Sequence, residues 1–570
     1  MNKLRENFLF IALLFIISAI LVFDLFSFSQ RSATFDGVVH ITQIAQFTTA
    51  MNDGDFPVLW LDGFANYGLP LGIFAQQLPT YTGAIFNSIV HDPVLAFNLV
   101  FFTGVLLSNI FYYYFLRLYF KPFYAFLGTF LFNFAPYRII DIYIRGVTPE
   151  IFSMIFLPLI LISIYFLVQK RKSSAFFFLV FSLSCLFLAH PIMFVTYAFV
   201  YIPYFIFNLI EVSLRKKNSL FHFDNIKLTI FFLAAFFFAF GMIASYLLPL
   251  TMEIKYLYYG AQSHFSLESF IGLSNYFDPR WHYFYHNDIF TRGHIIKPGI
   301  LELSTVVVGP LFIVCRIVKK NFIKTLSIFD LAVIMSIVII FFTSQYATII
   351  YQHFDLLANT QHQWRMMSGF IFLPPIIIIS LLQKLNKNYL AILLILVVCI
   401  VRFPQIYGKN YATYPEQSYY FTRVNLHSIN MNTIWSGKSE DYPVKRDKIE
   451  IIGGKGTIES KQIKNSSRKY VINAKTPVNV VDYTFYFPGW TASIDGQKTD
   501  IQFQDPNYRG VITYTVPQGT HTVVLTFEDT KSRFIGKVVS IMFIILFLGL
   551  FMVRKNMVKL LKFNSEKIQE

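Results

Sequence analysis

Apolar runs long enough to cross a bilayer recur along most of the chain, with short polar connections between them. A helix needs about 20 apolar residues to span the hydrocarbon core, and about twelve runs approach this length. They cover 8–28, 96–116, 122–138, 150–168, 174–190, 193–212, 228–250, 300–318, 326–343, 366–383, 389–405 and 535–553. The pattern predicts a polytopic α-helical membrane protein, although the short pair around His190 also fits a re-entrant hairpin. No Ala-x-Ala motif follows the first run, so we expect it to be a retained helix.

A different pattern appears after residue 405. Apolar and polar residues alternate between Val478 and Phe527, which is typical of strands with one buried face. Turn sequences such as Asp495-Gly496 separate the alternating segments. We therefore predict an antiparallel β-sandwich over 406–534, inserted between a transmembrane domain at 1–405 and a last helix with a basic tail at 535–570.

Basic residues are concentrated in every second connection. If the N-terminus is cytoplasmic, the inner connections and the tail contain Arg117, Lys121, Lys170, Arg171, Lys172, Arg215, Lys216, Lys217, Lys227, Arg316, Lys319, Lys320, Lys324, Lys384, Lys387, Arg554, Lys555, Lys559 and Lys562. This asymmetry follows the positive-inside rule and predicts that both termini are cytoplasmic. The larger connections at 29–95, 139–149, 251–299 and 344–365 would then be extracytoplasmic, together with the β-sandwich.

Composition agrees with a membrane protein. Hydrophobic residues make up 55% of the 570 residues and charged residues only 14%, against about 25% charged residues in soluble domains. The net charge of +16 is explained by the inner connections, so we do not expect nucleic acid as a partner. Cys185, Cys315 and Cys399 lie within apolar runs, a placement that indicates neither a disulfide nor a zinc site.

The first outer connection contains an acidic residue close to the membrane. Asp36 and His40 are four residues apart, so on a helix they would share one face. A carboxylate in this place can act as a general base or hold a cation. It can also simply cap an interfacial helix. Trp60 follows in the segment Asp53-Gly-Asp-Phe-Pro-Val-Leu-Trp60.

The second outer connection contains Arg138, Asp141, Arg145 and Glu150. Ionisable groups near lipid are costly and need partners. Two interpretations stay open for them. They form either a structural ion-pair network or a basic clamp for phosphate with an acid beside it, since a guanidinium matches phosphate geometry.

The third and fourth outer connections contain the remaining candidates. Histidines in the third connection are irregularly spaced, so the metal signal is weak and an interfacial polar role is expected; they are His264, His282, His286 and His294. The fourth connection ends in Trp364-Arg365 at the start of an apolar run. This pair is either an interfacial anchor or a contact to a lipid phosphate. No Walker, Rossmann or nucleophile-elbow motif is present, which favours a lipid-linked donor over a cytoplasmic nucleotide sugar.

Taken in order, these motifs resemble those of bacterial YfhO-type membrane proteins and of the related family labelled "6-pyruvoyl-tetrahydropterin synthase related, membrane". Both families look like GT-C-fold glycosyltransferases. The matching segments are Asp36-Gly-x-x-His40, Pro57 to Trp60, Gly68-x-Pro70, Pro136-Tyr-Arg138, Arg145-Gly146 with Glu150, Gln363-Trp-Arg365, Phe487-Pro-Gly-Trp490, Asp495-Gly496 and Val516-Pro-x-Gly519. The chain departs from the family at Leu59, where an arginine is common, and at Gln363, where the family has proline.

The resemblance implies a function and a set of roles. A sugar would pass, with inversion, from a polyprenyl-phosphate donor to a lipid or cell-wall polymer acceptor at the outer face of a bacterial plasma membrane. Asp36 would be the general base and Glu150 would orient the acceptor. The implied substrate-binding residues are His40, Trp60, Arg138, Asp141, Arg145, Trp364 and Arg365. Whether Asp36 and Glu150 hold a divalent cation, Mg²⁺ or Mn²⁺, is left open. A transporter or flippase of lipid-linked saccharides and a non-catalytic glycan-binding scaffold are the alternatives.

Overall fold

The structure is a computed structural model. It describes residues 2–26, 31–32, 34–64, 67–258, 298–319, 326–386, 388–407 and 447–554, with short pieces at 270–272, 276, 411–412, 432–436 and 442. The four histidines of the third connection lie outside the described residues, so the expectation for them stays a prediction.

Helices make up most of the described chain. They are α1 Asn2–Val22, α2 Gly37–Asn52, α3 Leu71–Phe74, α4 Gln77–Val90, α5 Pro93–Leu116, α6 Pro122–Asn133, α7 Pro136–Ile140, α8 Thr148–Ser153, α9 Phe156–Val168, α10 Ser174–Ala189, α11 Pro191–Lys216, α12 Phe223–Met242, α13 Ala244–Glu253, α14 Ile300–Val318, α15 Ile328–Thr343, α16 Thr348–His353, α17 Asp355–Ala358, α18 Met367–Phe370, α19 Leu373–Leu385, α20 Asn388–Arg402 and α21 Lys531–Met552. Several of them begin with proline, which fits the first turn because its missing N–H has no intrahelical acceptor there.

Within these described ranges, nine helical stretches are long and apolar enough to cross a membrane. They are Asn7–Phe26, Pro93–Leu116, Thr148–Val168, Pro191–Lys216, Phe223–Met242, Ile300–Val318, Gln363–Leu385, Asn388–Gln405 and Lys531–Met552, and α10 and α15 are shorter apolar helices. The prediction of a mostly helical protein with several long apolar helices is confirmed. The number twelve stays a prediction, since the apolar run at 122–138 is interrupted between α6 and Pro136, which starts α7.

The first two long helices define the two ends of the bundle. Near one end, the side chain of Asn98 in α5 donates to the Leu25 carbonyl, 2.7 Å away. Near the other end, the Tyr113 hydroxyl donates to Asn7 of α1 at 3.1 Å. α1 and α5 are therefore antiparallel, and the first and second large connections leave the bundle at the Leu25 end.

Strands dominate the chain after residue 447, which confirms the predicted β-sheet region. They are β3 Ile449–Gly453, β4 Gly456–Ile463, β5 Ser467–Ala474, β6 Val478–Phe485, β7 Trp490–Ile494, β8 Gln497–Thr499, β9 Val511–Val516 and β10 Gly519–Phe527, while β1 Arg31–Ser32 pairs with β2 Tyr411–Ala412. One antiparallel sheet has the order β4-β5-β10-β7-β8 and the other the order β3-β6-β9. Buried residues of both sheets belong to one apolar cluster. The predicted turn at Asp495-Gly496 joins β7 to β8, with φ of 50° and 83°.

The β-sheet region packs directly on the first connection. The side chain of Asn465 donates to Asp55 at 2.7 Å and to the Trp60 carbonyl at 2.8 Å, and its backbone N–H donates to Asp53. Arg468 pairs with Asp62 in the same interface. Much of the segment Asp53 to Trp60 therefore serves to dock the sheets.

A buried ion pair joins α13 to the last helix, next to the β-sheet region. Arg533, in the first turn of α21, binds the Glu253 carboxylate at the end of α13 at 2.7 Å. Its guanidinium also donates to the Pro488 carbonyl at 2.7 Å and to the Glu528 carbonyl at 3.1 Å. Gly489 has φ of +118°, and a side chain there would collide with this guanidinium. The Phe487-Pro-Gly-Trp490 motif thus holds the junction between the sheets and the bundle.

Candidate functional site between the first, second and fourth connections

The Asp36 segment is bonded through its backbone to the Arg145 segment. The N–H groups of Phe35 and Asp36 donate to the carbonyls of Ile144 and Arg145 at 3.0 and 2.8 Å. Gly146 follows in the left-handed conformation, with φ of +69°, and a Cβ there would overlap Thr34 Oγ1. Glycine permits both this conformation and this close approach. Two motifs that are about a hundred residues apart in the sequence are therefore neighbours in the fold.

The Asp36 carboxylate is not used for capping. Asp36 occupies the N-cap position of α2, as the capping interpretation expects, but its side chain makes no capping hydrogen bond. The residue is partly exposed. Within the part of the chain that the structure describes, no hydrogen bond or ion pair engages this carboxylate. It is therefore available to a substrate.

Arg145 is the centre of a buried ionic cluster. Its guanidinium lies 2.5 Å from Asp141 and 2.7 Å from Glu150. The Tyr137 hydroxyl donates to the second oxygen of Glu150 at 2.5 Å. The Trp364 ring covers the guanidinium, with 4.3 Å from Arg145 Cζ to the ring centroid. Of the two interpretations of these charged residues, this arrangement matches the structural ion-pair network. Two carboxylates already pair with the Arg145 guanidinium.

The local helix geometry explains how these side chains converge. Asp141 to Arg145 forms one π-helical turn, which contains an extra residue and is frequent at functional sites. Gly146 closes this turn, and Pro149 lies in the first turn of the next helical segment, α8. Asp141 from the turn and Glu150 from α8 both contact Nη1 of Arg145, and both carboxylates are fully buried.

Burial controls the protonation of the cluster. Burial raises the pKa of Asp141 well above its usual range and the neighbouring Glu150 raises it further, while Arg145 opposes both effects. Because one guanidinium faces two carboxylates, retention of a proton by Asp141 leaves the cluster close to neutral. Burial also lowers the pKa of His40, so its imidazole is neutral at physiological pH. The His40 ring lies 3.3 Å from the Gln43 side-chain oxygen.

Several buried polar atoms around the cluster have no hydrogen-bond partner among the described residues. They are Asp141 Oδ2, His190 Nδ1, Trp364 Nε1 and both side-chain amide atoms of Gln363. Buried polar groups are bonded in the large majority of cases, so a group of unbonded ones needs an explanation. A polar ligand that enters here would satisfy them.

His190 is a candidate that sequence reasoning missed. It is buried at the junction of α10 and α11. Burial lowers its pKa well below the usual value, and the charges of Arg365 and Arg145 lower it further, so the ring is a neutral neighbour of both. The only sequence signal was a histidine between two short apolar runs, a pair that also fitted a re-entrant hairpin.

Arg365 lies at the rim of the cluster. It belongs to the 3₁₀ turn Gln363–Met366 and is partly exposed. Its guanidinium donates to the Thr360 carbonyl at 3.2 Å and to the side chain of Gln361. Trp364 therefore lies beside two guanidinium groups, with Arg145 at 4.3 Å and Arg365 at 5.8 Å from its ring centroid.

Two predicted substrate-binding residues, both within the described part of the chain, form no hydrogen bond or ion pair with this cluster. Arg138 is completely buried and donates to Asn109 at 2.9 Å, to Ser108 at 2.5 Å and to the Val105 carbonyl, all in α5. Trp60 packs with its ring centroid 5.3 Å from that of Trp490 in the β-sheet region. Both side chains stabilise packing in this structure.

The described residues do not fit a divalent cation. Among them, no group of three His, Cys, Asp or Glu side chains is placed to hold a metal ion. Mg²⁺ needs near-octahedral oxygen ligands, whereas Asp141 and Glu150 are both directed at the Arg145 guanidinium.

No protein-family model and no curated protein matches the chain. Two crystal structures of an oligosaccharyltransferase from Archaeoglobus fulgidus align with it, one in complex with Zn and sulfate and one in the apo form. Both have a TM-score of 0.38, the identities are 13% and 12%, and the alignments cover 75% and 72% of this chain. The chain covers only 58% and 57% of those chains. Likeness at this level carries no weight for function, and the resemblance to YfhO-type proteins stays an interpretation of the motifs.

Proposed function

We propose that the chain is a membrane glycosyltransferase that transfers a sugar from a polyprenyl-phosphate donor to a lipid or polymer acceptor at the extracytoplasmic face. The unengaged carboxylate of Asp36 is the observation that carries this proposal. The backbone N–H of Asp36 donates to the Arg145 carbonyl. A base in a fixed position therefore lies next to a buried polar cluster. A positioned base of this kind contributes roughly 10²–10⁴-fold to a rate.

Asp36 takes the proton of the acceptor hydroxyl. The hydroxyl oxygen then forms a bond to the anomeric carbon from the face opposite the phosphate, so the configuration is inverted. The bond from this carbon to the phosphate oxygen breaks, and the polyprenyl phosphate leaves with the electron pair. Negative charge therefore develops on the leaving phosphate.

Arg365 stabilises that leaving charge. It is partly exposed at the rim, and its planar guanidinium matches two phosphate oxygens. A fixed cation lowers the barrier when it binds the phosphate more strongly in the transition state, where negative charge has developed, than in the ground state. Arg145 has a different part because its guanidinium is held by Asp141 and Glu150. It positions the backbone to which Asp36 is bonded.

The sugar ring is recognised by the unbonded buried groups. Gln363 offers an amide N–H and an amide oxygen, and Trp364 offers an indole N–H. His190 offers one ring nitrogen. Sugar hydroxyls both donate and accept hydrogen bonds, so they can pair with all of these groups. A site built to bond hydroxyls rejects analogues that lack them, because its buried groups would then stay unpaired.

The experiment uses the purified full-length protein in lipid nanodiscs with a panel of polyprenyl-phosphate sugars. Released polyprenyl phosphate is measured with Asp36→Asn as the test variant. Its turnover is expected to fall at least about 100-fold, since Asn cannot accept the proton. Asp92→Asn is the matched control, because Asp92 caps α5 through bonds to Val94 and Leu95 and asparagine caps equally well.

The outcomes separate the alternatives. Equal turnover in Asp36→Asn and wild type would contradict the role of Asp36. Absence of turnover in the wild type with every donor, together with movement of labelled lipid-linked saccharide across vesicles, would identify a flippase. Binding of glycan without turnover or movement would identify a scaffold.

A further inference from the structure

A cavity of about 420 Å³ lies among helices at the bundle end opposite the candidate site. Its walls come from the chain just after α5, from α11 and α14, from the start of α15 and from the end of α19. Lys384 lines it, 19 residues after Arg365 along one helical stretch. At 1.5 Å per residue this separation is about 28 Å, so the cavity and the candidate site are different places.

The walls of the cavity are mostly apolar, and the neighbouring outer surface of α14 is exposed. Phe207, Phe312 and Leu381 contribute to them. On the same turn of α14, Leu311 and Val314 expose 61% and 53% of their surface. Exposed side chains of this kind on a membrane-spanning helix are in contact with acyl chains. The cavity therefore has an apolar interior beside the hydrocarbon region.

The mouth of the cavity has a surplus of positive charge. Arg316 lines it and shares its charge with Asp330, 2.5 Å away, at the capped start of α15. Glu211 also lines it, but Arg215 balances this carboxylate at 3.0 Å. Lys384 is exposed, and no ion pair with another described residue involves its ammonium group. The net positive charge of the mouth is therefore that of Lys384. Arg316 also belongs to the cavity lining.

We propose that this cavity is a binding site for an anionic phospholipid, with its phosphate at Lys384 and Arg316 and its acyl chain against the apolar walls. Basic pockets between helices at the cytoplasmic side of a membrane are suited to anionic headgroups. The volume is within the range of small-molecule sites, roughly 300–1,000 Å³. Free phosphate would leave the apolar walls uncovered, which favours a lipid. The proposal does not depend on the proposed transfer reaction.

Thermal unfolding of the delipidated full-length protein in a mild detergent tests the ligand. Phosphatidylglycerol is expected to raise the Tm by a few degrees in a saturable manner, because a ligand that binds only the folded state stabilises it. Phosphatidylcholine and inorganic phosphate are the comparison arms, and both are expected to leave the Tm nearly unchanged. Equal shifts with phosphatidylcholine, or a shift with inorganic phosphate alone, would overturn the proposal.

Variants locate the binding. Lys384→Gln should weaken phosphatidylglycerol binding about fivefold, which is the usual effect of one basic residue at an anionic lipid. Ser380→Phe should abolish it by filling the cavity that Ser380 lines. Lys319→Gln is the matched control, since Lys319 is exposed at the same end but outside the lining. Unchanged binding in Lys384→Gln and Ser380→Phe, or an equal loss in Lys319→Gln, would contradict a specific site.

Discussion

Two glycines make the contact between the first and second connections feasible. Gly37 and Gly146 both approach Thr34 so closely that an added Cβ would overlap its hydroxyl. Gly146 also has a positive φ, which other residues adopt only at a cost. The position of the Asp36 carboxylate relative to Arg145 therefore depends on the absence of a side chain at these positions.

Gly146→Ala should separate these two segments. We expect a loss of about 1–3 kcal/mol from the strained φ alone, with reduced transfer activity because Asp36 loses its fixed position. Thermal unfolding and the transfer assay measure the two effects. Gly549→Ala is the control, since a Cβ there has no neighbour within 4 Å. A Gly146→Ala protein as stable and active as the control would show that other contacts position Asp36.

The sequence shows that the second connection contains several charged residues, but it does not show which of them form ion pairs with each other. Asp141, Arg145 and Glu150 do form one cluster. Arg138 does not join them, because its guanidinium is directed at α5, where it donates to Asn109 and Ser108. Sequence spacing contains no information on which helix lies next to each face. His190 was missed for the same reason, since its neighbours come from distant parts of the chain.

Single turns, rather than long helices, shape the site. The π turn Asp141–Arg145 and the 3₁₀ turn Gln363–Met366 supply Arg145, Trp364 and Arg365. Apolar periodicity indicates where a helix runs, but a turn with one extra or one missing residue changes little in that pattern. These two elements could therefore not be predicted, although the motifs within them could.

The junction between α13 and α21 contains the buried Glu253–Arg533 pair, and Glu253→Gln tests its contribution. Loss of the carboxylate charge leaves Arg533 buried without its anion, which usually costs about 3–5 kcal/mol. We expect faster hydrogen exchange at 487–490 and 528–533. Lys537→Gln is the matched control on the same helix, because the Lys537–Asp529 pair is partly exposed and such pairs contribute roughly 0–1 kcal/mol. Equal exchange in both variants would contradict a structural role for the Glu253–Arg533 pair.

The general architecture was the most predictable part of the molecule. Apolar run lengths predicted a helical membrane protein, and period-two alternation predicted the β-sheet region, because both patterns reflect which solvent a residue faces. How the sheets dock could not be predicted. That interface depends on contacts such as Asn465 with Asp53 and Asp55, more than 400 residues apart, and no local pattern records them.

The distribution of basic residues also predicts how the whole molecule is oriented in the membrane. A variant in which Cys185, Cys315 and Cys399 are replaced by serine contains no cysteine. Single cysteines are then introduced at Lys475 in the β-sheet region or at Lys319 at the basic end, both of which are exposed. An impermeant maleimide should label Lys475→Cys in intact cells and Lys319→Cys only after permeabilisation, as the positive-inside rule requires. The sheets dock on the connection that contains Asp36, so the label at Lys475 also reports the side of the candidate site. The reverse pattern would put Asp36 in the cytoplasm, where soluble nucleotide sugars are present and a lipid-linked donor is no longer required.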